Sequence, residues 1–292
     1  MTAPQVQPAP SPPSDRGRVG RRGGTSMATQ PPLPPVAPSS APPASTPTAA
    51  VAATPVEPPR GFLGTLAGIY AAPSETFRHL AARPAFVAPL LAAIALNVAF
   101  TFVWMRKADP VELARTQMEE SGVFERVPPE RHADLVQRQA RLFPIFAWLG
   151  PLVFAPIGFV AMAGLFLFIY RFFYASETTF AQSLAVVGWS LFAVGLVTTP
   201  LTLLVLALKG EWSVDPRTVI QASPAALFDK GAVPKPVHAL LDSIDLFSAW
   251  ILFLLTAGYA ATSKRSLGVA AVGVLVVWGI YVVLKVALAA VF

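Results

Sequence analysis

The chain has no cysteine and only three histidines among its 292 residues. Disulfide staples, thiolate metal sites and cysteine nucleophiles are thereby excluded. His79, His132 and His238 all fall outside the long apolar stretches. A histidine-bound metal that activates water at membrane depth therefore has no ligands to use. Charge is scarce too: Asp, Glu, Lys and Arg make up 13% of the chain, against about 25% in an ordinary soluble domain. There is no Gly-x-Ser-x-Gly elbow, no phosphate-binding loop and no dinucleotide fingerprint. The basic run between Arg16 and Arg22 is not followed by an apolar core, so it is no secretory signal. The formal charge of +6 comes without any nucleic-acid module and is not pooled on one face. Membrane topology and anionic lipid headgroups account for it, and no nucleic acid is expected as a partner.

Apolar residues are what the chain has in abundance. They form 54% of it, and the mean hydropathy is +0.57. Long apolar stretches cover residues 85–105, 145–170, 180–208, 246–262 and 267–292. A bilayer core about 30 Å thick takes ~20 residues of helix to cross. Four stretches reach that length, and 246–262 is marginal by itself. The fold class is therefore all-α: a polytopic membrane helix bundle of about five transmembrane helices. It is preceded by interfacial helices and a disordered N-terminal tail.

Three regions follow. Residues 1–60 hold 16 of the 30 prolines, with much Ala, Ser and Thr. Such a segment cannot bury enough apolar surface to offset its ordering entropy, so a disordered Pro/Ala-rich cytosolic tail is expected. Within it, Pro31-Pro32-Leu33-Pro34-Pro35 suits an aromatic groove, though a plain spacer is the stronger expectation. Met27 is a candidate true start, because nothing before it resembles the rest. Residues 61–84 open with an apolar run too short to span. Pro73 stops a helix there, Ser74 offers an N-cap, and Glu75 suits the first turn of a second one. Arg78, His79 and Arg83 then mark a membrane edge. Two interfacial amphipathic helices on the bilayer are expected, with a re-entrant hairpin as the alternative. Residues 85–292 form the five-span transmembrane domain.

Polar groups inside spans are the default place to look for function. Asn97 is expected to bond between helices rather than line a path. Pro144, Pro151 and Pro156 predict a kinked second span. Gln182 is expected to be wet at the interface. Lys285 is expected to snorkel to the headgroups, with pairing to Asp242 or Asp245 as the alternative. Trp148, Trp189, Trp250 and Trp278 are read as an interfacial belt plus bundle packing, with Trp104 and Trp212 near the membrane edges. The segment 106–141 carries seven basic and seven acidic residues and predicts a charged surface helix. Its Glu119-Glu120 pair is read as a solvated face rather than a protease dyad. No catalytic, cofactor-binding or metal-binding residue is assigned. The N-terminus is placed in the cytosol on the short loops carrying Arg171, Lys264 and Arg265.

Three stretches resemble a known family. One is Ala72-Pro73-Ser74-Glu75-Thr76-Phe77-Arg78, with Arg83-Pro84 after it. The second is Thr179-Phe180-Ala181-Gln182-Ser183-Leu184-Ala185-Val186-Val187-Gly188-Trp189-Ser190. The third is Asp245-Leu246-Phe247-Ser248-Ala249-Trp250. Their order, with five spans, resembles the Yip domain family of Ypt/Rab-interacting membrane proteins, its bacterial branch in particular, from about residue 62 onward. The resemblance implies a non-enzymatic integral membrane scaffold or organiser that works through intramembrane protein–protein contacts. It implies membrane lipids and other membrane proteins, or self-association, as partners, in a bacterial inner membrane. No Rab-type GTPase carries over to a bacterium, and the segment 106–144 looks like an embellishment. A small-solute transporter or channel component is the alternative function.

Overall fold

The computed structural model describes residues 61–220, 222–228 and 232–291. The tail, with Met27 and the run from Pro31 to Pro35, lies outside the described residues. All regular structure within them is helical. The five expected spans are five long apolar helices. The first is α3 (Val87–Met105).

The second span is part of one 44-residue helical run, Pro129–Phe172. At 1.5 Å per residue it is about 66 Å long, roughly twice a bilayer core. It comprises α6 (His132–Leu149), a π-helical stretch (Gly150–Phe154) and α7 (Ala155–Phe172). Each proline here removes an N–H and crowds the carbonyl four residues back. The wider π turn around Pro151 accommodates both effects, so the helical run continues past its prolines. The first half of α6 projects and pairs with α4 (Pro110–Glu120), joined through the short α5 (Val123–Arg126). Asp109 caps α4 by accepting from Val111 N at 2.8 Å, and Pro110 suits its first position. The charged segment is thus a helical hairpin. Its own small core holds Ala114, Met118, Val136 and Ala140.

The third span, α8 (Phe180–Lys209), starts with a capping box. Thr179 Oγ1 accepts from Gln182 N, and Gln182 Oε1 accepts from Thr179 N. It ends at Gly210, whose φ of 70° is a left-handed cap. The loop after it contains short 3-10 turns and α9 (Lys235–Ser243). The remaining spans are α10 (Leu246–Ser263) and α11 (Leu267–Val291). Asp245 caps α10, accepting from Phe247 N and Ser248 N at 2.9 and 3.0 Å.

Helix direction follows from the contacts. Gly188 lies against Pro89 and Gly195 against Leu96, so α3 and α8 run parallel. Gly258 meets Val186 in antiparallel α10. Before the spans come α1 (Phe62–Ala71) and α2 (Pro73–Ala82). Their inward residues Ile69, Phe77 and Leu80 belong to the main core with α7, α8, α10 and α11. Tyr70 Oη donates to the Ala193 carbonyl at 2.6 Å, and its ring stands 5.7 Å from Trp250. Burial raises the Tyr70 phenol above its ordinary pKa, which keeps it a donor. Gln182 Nε2 also donates to the Ala81 carbonyl at 2.6 Å. One glutamine therefore closes the cap of α8 and ties it to α2. It is half-buried at the start of the span and committed to these bonds.

Candidate functional site

A polar recess exists because two antiparallel neighbours differ in length. α8 has 30 residues and α10 has 18, about 45 Å against 27 Å. Their other ends meet near Ser183 and Tyr259, so α8 overshoots the start of α10. The polar loop folds into the step, with α9 laid against α11. The recess beneath has a volume of about 350 Å³, and its walls include Thr198, Thr202, Arg217, Asp242, Ser248 and Lys285. A neighbouring cavity of about 590 Å³ shares Asp242 and Lys285 and reaches Glu120, Lys235 and His238.

The charges of the recess are matched internally. Lys285 Nζ lies 2.7 Å from Asp242 Oδ2 and joins the end of α9 to α11. Arg217 lies 3.6 Å from Asp215. Asp245 is committed to the N–H groups of α10 and also accepts from the Ser248 hydroxyl. The sequence alternative of a Lys285 ion pair is what the structure holds, with Asp242 as the partner. A matched recess of this kind suits water or a small neutral polar group better than a free ion.

Other expected residues land elsewhere. Asn97 does not bridge helices. It is exposed on α3, and its amide donates to the Ala93 carbonyl of its own helix at 2.8 Å. The i−4 carbonyl lies within reach of so short a side chain, which sequence spacing alone does not reveal. Glu119 pairs with Arg115 at 3.9 Å on an exposed face of α4, as a solvated reading expects. Trp189 is a core residue, 1% exposed, whose Nε1 donates to the Ala85 carbonyl at 2.9 Å. Trp104 and Trp212 meet: Trp104 Nε1 donates to the Trp212 carbonyl at 2.9 Å. His132 stacks on Phe124, His79 stands 3.9 Å from Glu75, and His238 lines the outer cavity.

A second polar place went unnoticed in the sequence. Ser183 donates to the Ala163 carbonyl at 2.6 Å, and its oxygen is 2.6 Å from the Tyr259 hydroxyl. With its single proton given to Ala163, Ser183 accepts from Tyr259. The Tyr259 ring stacks on Tyr170 at 4.5 Å, and Tyr170 donates to the Ala270 carbonyl at 2.5 Å. Four helices, α7, α8, α10 and α11, are thereby bonded through hydroxyls. Isolated hydroxyls in apolar runs carry no pattern, so only Ser183 in its quoted stretch offered any signal. Gly273 makes room for Tyr170, since a Cβ there would stand 3.1 Å from its ring.

The fold and its polar places can now be set beside known proteins. A family model of the Yip1 domain matches residues 67–288. The chain belongs to the Yip1 domain family. The match starts within α1 and ends within α11, so this Yip1 domain takes in α2, all five apolar helices, the charged hairpin and the recess. No curated protein and no solved structure matches the chain. Family and helices together make it a multi-pass membrane protein.

Proposed function

We propose that this Yip1-domain protein is a non-enzymatic membrane scaffold or organiser that acts through protein–protein contacts in the bilayer. The observation that carries the reading is the closed packing between its spans. Val186 leaves no room for a side chain at Gly258, and Pro89 lies 3.5 Å from where a Cβ of Gly188 would be. Trp189, Tyr170, Tyr259 and Leu254 are fully buried between helices. A packed core of this type transmits contacts rather than solutes. Outward, α7 and α11 carry large apolar side chains such as Phe168, Ile280 and Val283. These suit lipid or the helices of another membrane protein, including a second copy.

On this reading the α1–α2 pair starts from a membrane face, where Ala81 meets Gln182, and reaches into the bundle. There Tyr70 meets Ala193 and Trp250, about 15 Å along α8 from Ser183, as the re-entrant alternative has it. The exposed Glu75, Arg78 and Arg83 lie toward headgroups. The membrane is a bacterial inner membrane and the N-terminus is cytosolic. The test is crosslinking pull-down from native membranes with the intact chain and a form starting at Gly61. Membrane-protein partners kept by both forms place recognition in the bundle. Partners lost with the tail move it to residues 1–60.

The polar recess favours a second reading, a small-solute transporter component. Against it, Asn97 lines neither cavity at this end. Flux in proteoliposomes that falls on Thr202→Leu, in the wall of the recess, is the result this second reading requires. The scaffold reading expects no flux with either form.

A further inference from the structure

We infer that the turns joining α7 to α8 and α10 to α11 form a binding site for anionic phospholipid headgroups. Residues 171–179 and 263–266 carry three cations, Arg171, Lys264 and Arg265, against one carboxylate, Glu177. The two turns are physically one surface. Arg265 Nη2 donates to the Tyr174 carbonyl at 2.8 Å, and Arg265 N bonds the Ala260 carbonyl at 3.1 Å. Lys264 caps α10 in the left-handed region at φ 56°. All three cations are exposed. None has an acidic partner among the described residues. At the far end Lys285, Arg217 and Arg115 are each paired, while Arg138 and Arg141 are exposed there without an ion pair among the described residues and lack an adjoining cluster of exposed rings.

An apolar fan adjoins these cations. Phe168, Phe172 and Phe173 are 57%, 71% and 69% exposed. Their rings contact one another, with centroids 5.0 to 6.4 Å apart. Arg171 follows Phe168 by three residues, so the two share one face of α7. Exposed rings and exposed cations side by side at one end of the bundle match the acyl boundary and phosphate layer of one leaflet. A protein partner would have to bury three unpaired cations, whereas a phosphate-bearing headgroup pairs them and stays hydrated. The inference depends on the chain being a membrane protein and not on its being a scaffold.

The test is native mass spectrometry of the delipidated full chain, titrated with phosphatidylglycerol and with phosphatidylcholine. Arg171→Gln/Lys264→Gln is the main variant, because neither side chain holds a protein hydrogen bond among the described residues. Arg138→Gln/Arg141→Gln, exposed at the other end, is the control, and melting in detergent checks that all forms fold. The wild type and the control are expected to prefer phosphatidylglycerol. The double variant is expected to lose that preference by roughly fivefold per cation removed. Equal preference in the double variant, an equal drop in the control, or no preference in the wild type each overturns the inference. Should the double variant not fold, Arg171→Gln alone is read the same way, with half the effect on a logarithmic scale.

Discussion

Gly258 has no freedom to become alanine. Val186 already fills the space a Cβ would take, on a helix whose position α1, α3 and α10 all constrain. Overpacking of this kind destabilises by about 1–3 kcal/mol. Gly258→Ala is expected to show that loss in detergent unfolding, whereas Gly158→Ala, which meets open space within α7, is expected to gain about 0.5–1 kcal/mol. The hydroxyl network allows a finer comparison. Tyr259→Phe keeps the ring stack and removes one donor, so the expected loss is about 0.6 kcal/mol, typical of a bond between spans. Ser183→Ala leaves both the Tyr259 hydroxyl and the Ala163 carbonyl without this partner. Its loss should be larger, about 1–3 kcal/mol. If Tyr259→Phe proved the worse of the two, the assigned donor order would be wrong.

At the scale of elements, α9 is held in place by a side chain from another helix. The Lys285–Asp242 pair is partly exposed, so it contributes only about 0–1 kcal/mol to global stability. Its effect should be local. In Lys285→Met, hydrogen exchange is expected to rise in α9 while the core of α8 stays protected. Uniform exchange change across both would argue that the pair holds the bundle and not the element. The cap of α10 is a different matter. Asp245 satisfies two N–H groups at a helix start sunk beside α8. Asp245→Ala is expected to lower stability by about 1 kcal/mol, with Asp245→Asn retaining most of it.

For the whole molecule, the main core draws on both ends of the matched domain, since Ile69 and Phe77 share one core cluster with residues of α10 and α11, and α2 packs on α10. A form starting at Gly61 keeps all of that core and is expected to melt with the intact chain. A form starting at Ala85 removes α1 and α2, exposes Trp189 and Trp250, and is expected to lose stability or yield. Equal melting of the two truncations would show that α1 and α2 rest on the bundle without supporting it.

The sequence by itself determined that this is an all-helical membrane protein with five spans. Hydrocarbon demands runs of ~20 apolar residues, and such runs are visible without any tertiary contact. Pro73 was legible for the same local reason and stands at the first position of α2, but the cap expected at Ser74 is not formed: the N-cap is Ala72, no side chain caps the helix, and Ser74 lies inside it. Thr179 with Gln182 shows the capping box only once the helix start is known. Tertiary structure alone decided where the polar atoms go. Gln182 turned to α2, Lys285 to Asp242 and Ser183 to Tyr259, whereas Asn97 stayed with its own helix. A long apolar helix reads much the same all the way round, so its sequence does not announce which neighbour it faces. The recess was hidden for a related reason: it arises from the unequal lengths of α8 and α10 once they lie side by side, a relation between helices that neither stretch contains.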